Sequence, residues 1–200
     1  SFMFVADFLY EQPDLQARPL SDLSTTYWAA GTGQLMMRSA WDNSATYANF
    51  ICGPYTESHA HRDQGSFVLF KGAWLAYDAN MDGRSGIEQE QWYHNTVRFE
   101  TGAGAGINQV YNRSCTMNAL ANTPAWAYAM AQITPMYGTT TGITRSEREF
   151  VFIKPATFVI YDRAQTSASG ARRIFTMNFP APPSFEGNLT SLVVGANRFD

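Results

Sequence analysis

Ser58-His59-Ala60-His61-Arg62-Asp63-Gln64-Gly65-Ser66-Phe67-Val68-Leu69-Phe70 holds two of the chain's three histidines, one residue apart. Read as extended chain, this stretch projects residues i and i+2 from one face. His59 and His61 then point into one site, with Asp63 next in the row. Two imidazoles aimed at one place fit metal binding, proton transfer, or both. The apolar runs 66–70 and 73–77 flank Lys71-Gly72 as a hairpin. That hairpin returns Asp78 toward His61, and His94 opens a further strand over 96–99.

Working outward, 34–41 and 45–52 read as strands, the second ended by Gly53-Pro54. Residues 147–153 and 157–161 flank Lys154-Pro155-Ala156 as a second hairpin. Residues 172–178 and 189–194 are further strands, and 125–133 is open between helix and strand. Residues 2–10 are apolar and would finish a helix, after which Pro13 and Pro19 break regular structure. Residues 1–30 therefore read as an arm or linker and 31–200 as one domain, with a C-terminal strand or two expected beyond residue 200. Short strands with frequent turns imply an all-β antiparallel sandwich or barrel.

The bulk numbers agree with a folded domain: 200 residues, 45% hydrophobic, 16% charged and 14% aromatic. A net charge of −3 supplies no basic field for nucleic acid or a membrane surface, so an anionic ligand needs local arginines. No apolar run is long enough to span a bilayer. Cys52 and Cys115 do not make a disulfide framework. Cys52 lies in an apolar run and reads as a free buried thiol, with one bridge as the alternative.

His61, Asp78 and His94 together make an open zinc set, two imidazoles and a carboxylate with a fourth position left over. The competing reading is three separate turn residues. Gly53, His59-Ala60-His61 and Gly72 also resemble the first motif of cupin metal enzymes, but the glutamate needed after the second histidine is missing. Asp78-Ala79-Asn80-Met81-Asp82-Gly83 looks like half a calcium loop, but Gln89 stands where its closing glutamate belongs. Gly102 to Gly106 lacks the spacing of a dinucleotide fingerprint. Asn112-Arg113-Ser114 and Asn188-Leu189-Thr190 match glycosylation sequons. Among the tryptophans, Trp92, with Tyr93 beside it and His94 next, is best placed to face a ligand.

His59-Ala60-His61-Arg62-Asp63-Gln64-Gly65-Ser66-Phe67, Gly72, Asp78 and His94-Asn95-Thr96-Val97 resemble the heparinase II/III-like domain of polysaccharide lyases. Met37-Arg38-Ser39-Ala40-Trp41 and Val159-Ile160-Tyr161-Asp162-Arg163 look like its flanking strands. The resemblance spans roughly residues 31–180. It implies a large antiparallel β-sandwich joined to an N-terminal (α/α) toroid, of which residues 1–30 would be the tail. The reaction implied is β-elimination at a uronic acid, in which a base takes the C5 proton and an acid protonates the departing O4. His59 matches the family's sandwich-side active-site histidine. His61, Asp78 and His94 match the residues that hold a zinc whose role is chiefly to shape the site. The family's tyrosine base, asparagine carboxylate neutraliser and another histidine come from the toroid.

Three functions therefore compete. The first is the sandwich part of a zinc-containing lyase on a glycosaminoglycan or alginate, inactive without its helical domain. The second is a non-catalytic carbohydrate-binding sandwich with structural zinc, and the third a cupin-like metal enzyme. In the first, Arg62, Trp92 and Tyr93 are the substrate-binding candidates, with Arg84 and Arg98 behind them. The expected partners are an acidic polysaccharide and the toroid of the same protein, with no nucleic acid or membrane and a homodimer left open. The location expected is periplasmic or secreted, in a bacterium.

Overall fold

The computed structural model describes residues 16–57, 59–78 and 89–200. The stretch 2–10, Pro13, Arg84 and most of the half calcium loop lie outside the described residues. In chain order the strands begin β1 (Thr26–Ala29), β2 (Gln34–Arg38), β3 (Tyr47–Ile51), β4 (Pro54–Tyr55), β5 (Phe67–Phe70) and β6 (Trp74–Ala76). They continue as β7 (Val97–Glu100), β8 (Gly106–Ile107), β9 (Arg113–Ser114), β10 (Thr116–Asn122), β11 (Trp126–Gln132), β12 (Ile143–Ile153) and β13 (Thr157–Thr166). Last come β14 (Arg172–Phe175), β15 (Ser184–Glu186), β16 (Leu189–Val194) and β17 (Asn197–Phe199).

Two antiparallel sheets make an all-β sandwich, as the strand pattern implied. One runs β1-β2-β3-β5-β6 and the other β10-β11-β12-β13. Strands β2, β3, β5 and β11 bury alternate residues, because successive side chains point to opposite faces. Leu35, Met37, Ala48, Phe50, Phe67 and Leu69 line the first inner face; Ala127, Ala129, Ala131, Phe150 and Phe152 line the second. Phe150 joins them, with its ring 5.4 Å from Phe50 and 5.5 Å from Phe67. Each ring shut between the sheets contributes about 2–3 kcal/mol of burial.

Within 125–133 the chain is strand over Trp126–Gln132, where burial alternates and Ala127, Ala129 and Ala131 face inward. The hairpin of β12 and β13 runs longer at its open end than its apolar residues show. Its outer row there is charged: Arg145 pairs with Glu147, and Arg163 with Glu149. β1 lies inside the stretch read as arm and pairs with β2.

The expectation of a free Cys52 thiol is corrected: Cys52 and Cys115 form a disulfide. The cause is a backbone crossing. Cys52 donates its amide to the Gly33 carbonyl, and Cys115 donates to the Gly53 carbonyl. A Cβ on Gly33 would lie 2.3 Å from the Gly53 Cα, and Gly33 has φ +69°, so only glycine fits. Pairing of β4 with β9 completes the approach.

Candidate functional site

The candidates sit on three segments: His59 and His61 lead into β5, Asp78 follows β6, and His94 leads into β7. Residues 59–66 are not strand. The chain turns at Ala60, whose amide bonds the Glu57 carbonyl, and again at Ser66, which bonds the Asp63 carbonyl. Gly65 sits at φ +89° in the second turn, where a Cβ would meet the Ile133 side chain at 2.5 Å. The reading of His59 and His61 as one strand face is therefore corrected. His59 is exposed and His61 half-buried.

His61, Asp78 and His94 come together. The His61 and His94 rings lie 5.1 Å apart, and His94 Nδ1 is 2.8 Å from Asp78 Oδ2. His94 ends a short 3-10 helix, Gln91–Tyr93, and is 1% exposed. That hydrogen bond engages Nδ1, so Nε2 is the ring nitrogen left over. Nε2 is buried and has no hydrogen-bond partner among the described residues. A bare imidazole nitrogen beside a second imidazole and a carboxylate is donor chemistry that suits zinc. As the side chains stand, no three His, Cys, Asp or Glu among the described residues are arranged to hold an ion. The set fits in kind and would have to close around a metal.

Electrostatics favour the ligating form of His61. Burial, and then the neighbouring His94, hold its pKa below the ordinary value, so the ring is neutral at pH 7. Asp63 lies beside the pair rather than in it. Enclosure pushes its carboxyl up to about 6.

The remaining candidates scatter. Arg62 pairs with Glu90 and donates Nε to the Gln109 carbonyl at 3.2 Å, so its guanidinium is already held. Arg98 pairs with Glu100. Trp92 is 44% exposed, with its ring 5.9 Å from Tyr93. Arg62 also donates its amide to the Gln89 carbonyl, which fastens the His59–His61 segment to the one carrying Trp92 and His94.

Sequence reasoning missed a set of buried glutamines that builds this end. Gln109 exchanges two hydrogen bonds with the Gln64 backbone, at 3.1 and 2.9 Å. Gln91 accepts from the Gln109 amide and donates to the Tyr137 hydroxyl at 2.9 Å. All three are under 5% exposed. Glutamine is ordinarily a surface residue, so nothing local marks these positions.

No family model matches the sequence, and no curated protein matches it. Solved structures do. The heparan sulfate lyase HepC from Pedobacter heparinus aligns with 92% of this chain and 28% of its own, at 21% identity and TM-score 0.64. The heparinase III product of BT4657 aligns with 86% of this chain and 26% of its own, at 17% identity and TM-score 0.66. A further heparinase III aligns with 76% and 24%, at 16% identity and TM-score 0.56. The chain spans less than a third of the length of each, and over most of its residues it has a heparinase-like fold.

Proposed function

We propose that this chain is the β-sandwich part of a polysaccharide lyase that cleaves a uronic-acid polymer by β-elimination. The observation that carries the reading is the meeting of His61, Asp78 and His94 on a heparinase-like sandwich. His61, Asp78 and His94 would hold a zinc, which when bound supplies a fixed positive charge that orders these three segments.

His59 is the group free to meet substrate. It is exposed, two residues from the buried cluster, on a segment anchored to it. In the elimination, the C5 proton passes to a base, a C4–C5 double bond forms, and the C4–O4 bond breaks with a proton delivered to O4. An imidazole near neutrality can carry a proton in either direction. The other acid–base group and the carboxylate neutraliser would come from a helical toroid. Trp92 and Tyr93 would offer ring faces to sugar, and Arg62 a cation at the rim. The disulfide supports a periplasmic or secreted location, because such bonds persist in oxidising compartments.

Uronate elimination is followed by the ultraviolet absorbance of the unsaturated product. The 200-residue chain alone gives little or no product from heparan sulfate or alginate, and a form carrying the helical domain does. In that form His59→Ala removes turnover and leaves zinc content unchanged. Vigorous elimination by the isolated chain, or full turnover with His59→Ala, would overturn the reading.

A further inference from the structure

Three segments must be brought into register for His61, Asp78 and His94 to meet, and none of the three residues lies in a strand. One buried side chain next to His94 touches all three segments. Asn95 is fully buried. Its Nδ2 donates to the Phe67 carbonyl at 2.7 Å and to the Tyr77 carbonyl at 3.2 Å. Tyr77 immediately precedes Asp78. Asn95 Oδ1 accepts from the Asn178 amide at 2.6 Å, and Asn178 Nδ2 donates to the Tyr93 carbonyl at 3.0 Å. The Asn95 amide donates to Ser66 Oγ at 3.1 Å, which ties in the loop that follows His61. An amide side chain is needed, because donors on one side and an acceptor on the other serve opposite demands at once.

Arg148 fastens this knot to the sandwich. It occupies an inward position on β12, between Ser146 and Phe150, where strand alternation calls for an apolar residue. It is 1% exposed. One Nη bonds the carbonyls of Gly65 and Asn95, at 2.6 and 2.7 Å. Nε and the other Nη take both oxygens of Asp162 on β13, at 2.7 and 2.9 Å. The guanidinium fork thus joins the His61 loop, the His94 segment and the neighbouring strand β13 at once, which a lysine cannot do.

We infer that Asn95 and Arg148 are positioning residues: they set the mutual placement of His61, Asp78 and His94 without contacting whatever those residues bind. The inference rests on the zinc reading above for its functional consequence. It stands on hydrogen bonds alone for its structural part.

The test compares Asn95→Ala, the milder Asn95→Ser, Arg148→Lys and a control, Phe152→Leu. The control perturbs a fully buried ring stacked on Phe158 within the sandwich. Zinc affinity is measured by competition with a chromophoric chelator, and site geometry by the visible spectrum after cobalt(II) replacement. Removing groups that orient ligands weakens metal binding about 10- to 100-fold. The Asn95 and Arg148 variants are expected in that range, with an altered cobalt spectrum. Phe152→Leu melts earlier yet keeps wild-type affinity. Affinity within twofold of wild type in folded Asn95→Ser and Arg148→Lys overturns the inference.

Hydrogen exchange supplies a readout that needs no metal. In Asn95→Ser the amides of Ser66, Tyr77 and residue 95 are expected to lose protection together. Loss confined to residue 95 overturns the inference. If the wild-type chain takes up no zinc, the zinc reading fails, and hydrogen exchange still decides for or against the knot.

Discussion

The sandwich and the histidine end are held by different physics. Between β2-β3-β5 and β11-β12 the contacts are apolar side chains from strands whose ladders satisfy their own backbone. At the histidine end, residues 59–66, 77–78 and 89–96 are short turns and a 3-10 helix, and buried side chains join backbone turns in satisfying the chain. Packing of the first kind tolerates volume-conserving change, because area buried matters more than any one contact. Polar networks of the second kind do not, because a missing partner leaves a buried group unpaired.

Arg148 lies where the two regions join, and it gives the largest expected break. Arg148→Met leaves Asp162 and two carbonyls without their partner, and loss of one side of a buried pair costs about 3–5 kcal/mol. Urea denaturation should show it. A loss below about 1 kcal/mol would make the histidine end independent of the sandwich.

Opening the disulfide tests the joint from the other side. Cys52 and Cys115 are 63 residues apart, and closing a loop of that length is worth about 4 kcal/mol. Cys52→Ser with Cys115→Ser should melt earlier by that measure, while zinc uptake persists. A smaller break within the core, Phe150→Leu, should cost about 1 kcal/mol and leave the histidines untouched.

The smallest effect belongs to the outer row of β12. Hydrogen bonds from Arg145 hold the Glu147 carboxyl, and those from Arg163 hold the Glu149 carboxyl, below the ordinary value of 4.5. A depressed carboxylate stabilises above its unfolded pKa and loses that contribution as pH falls through the folded one. These pairs should thus support the fold fully above about pH 5 and lose their effect below about 4.5. Glu149→Gln should shift stability by under about 1 kcal/mol at pH 7, and by less as pH falls. Melting curves across that range check it.

Legibility followed the same division. The sandwich could be read because short apolar runs at 34–38, 47–51 and 67–70 lie between turn residues, a local signal that survives in a single sequence. β10 escaped because Thr116–Asn122 carries alanine and asparagine, poor strand formers, at a sheet edge. The ends of β12 and β13 were cut short because charges on an outer face look like the end of a strand. Histidines and Asp78 were legible as donors by residue type. Their turns were not, because the bonds that shape them reach 83 residues, as from Arg148 to Gly65. The disulfide was misread for a similar reason: it depends on the Gly33–Gly53 crossing, which no local pattern announces.

The role proposed for the histidine end is to hold a zinc as one half of a lyase site. Metal analysis of the purified chain after exhaustive dialysis tests it most directly. About one zinc per chain is expected, lost in His61→Ala, Asp78→Asn and His94→Ala and kept in His59→Ala. No zinc in the wild-type chain, or zinc that survives His94→Ala, would contradict it.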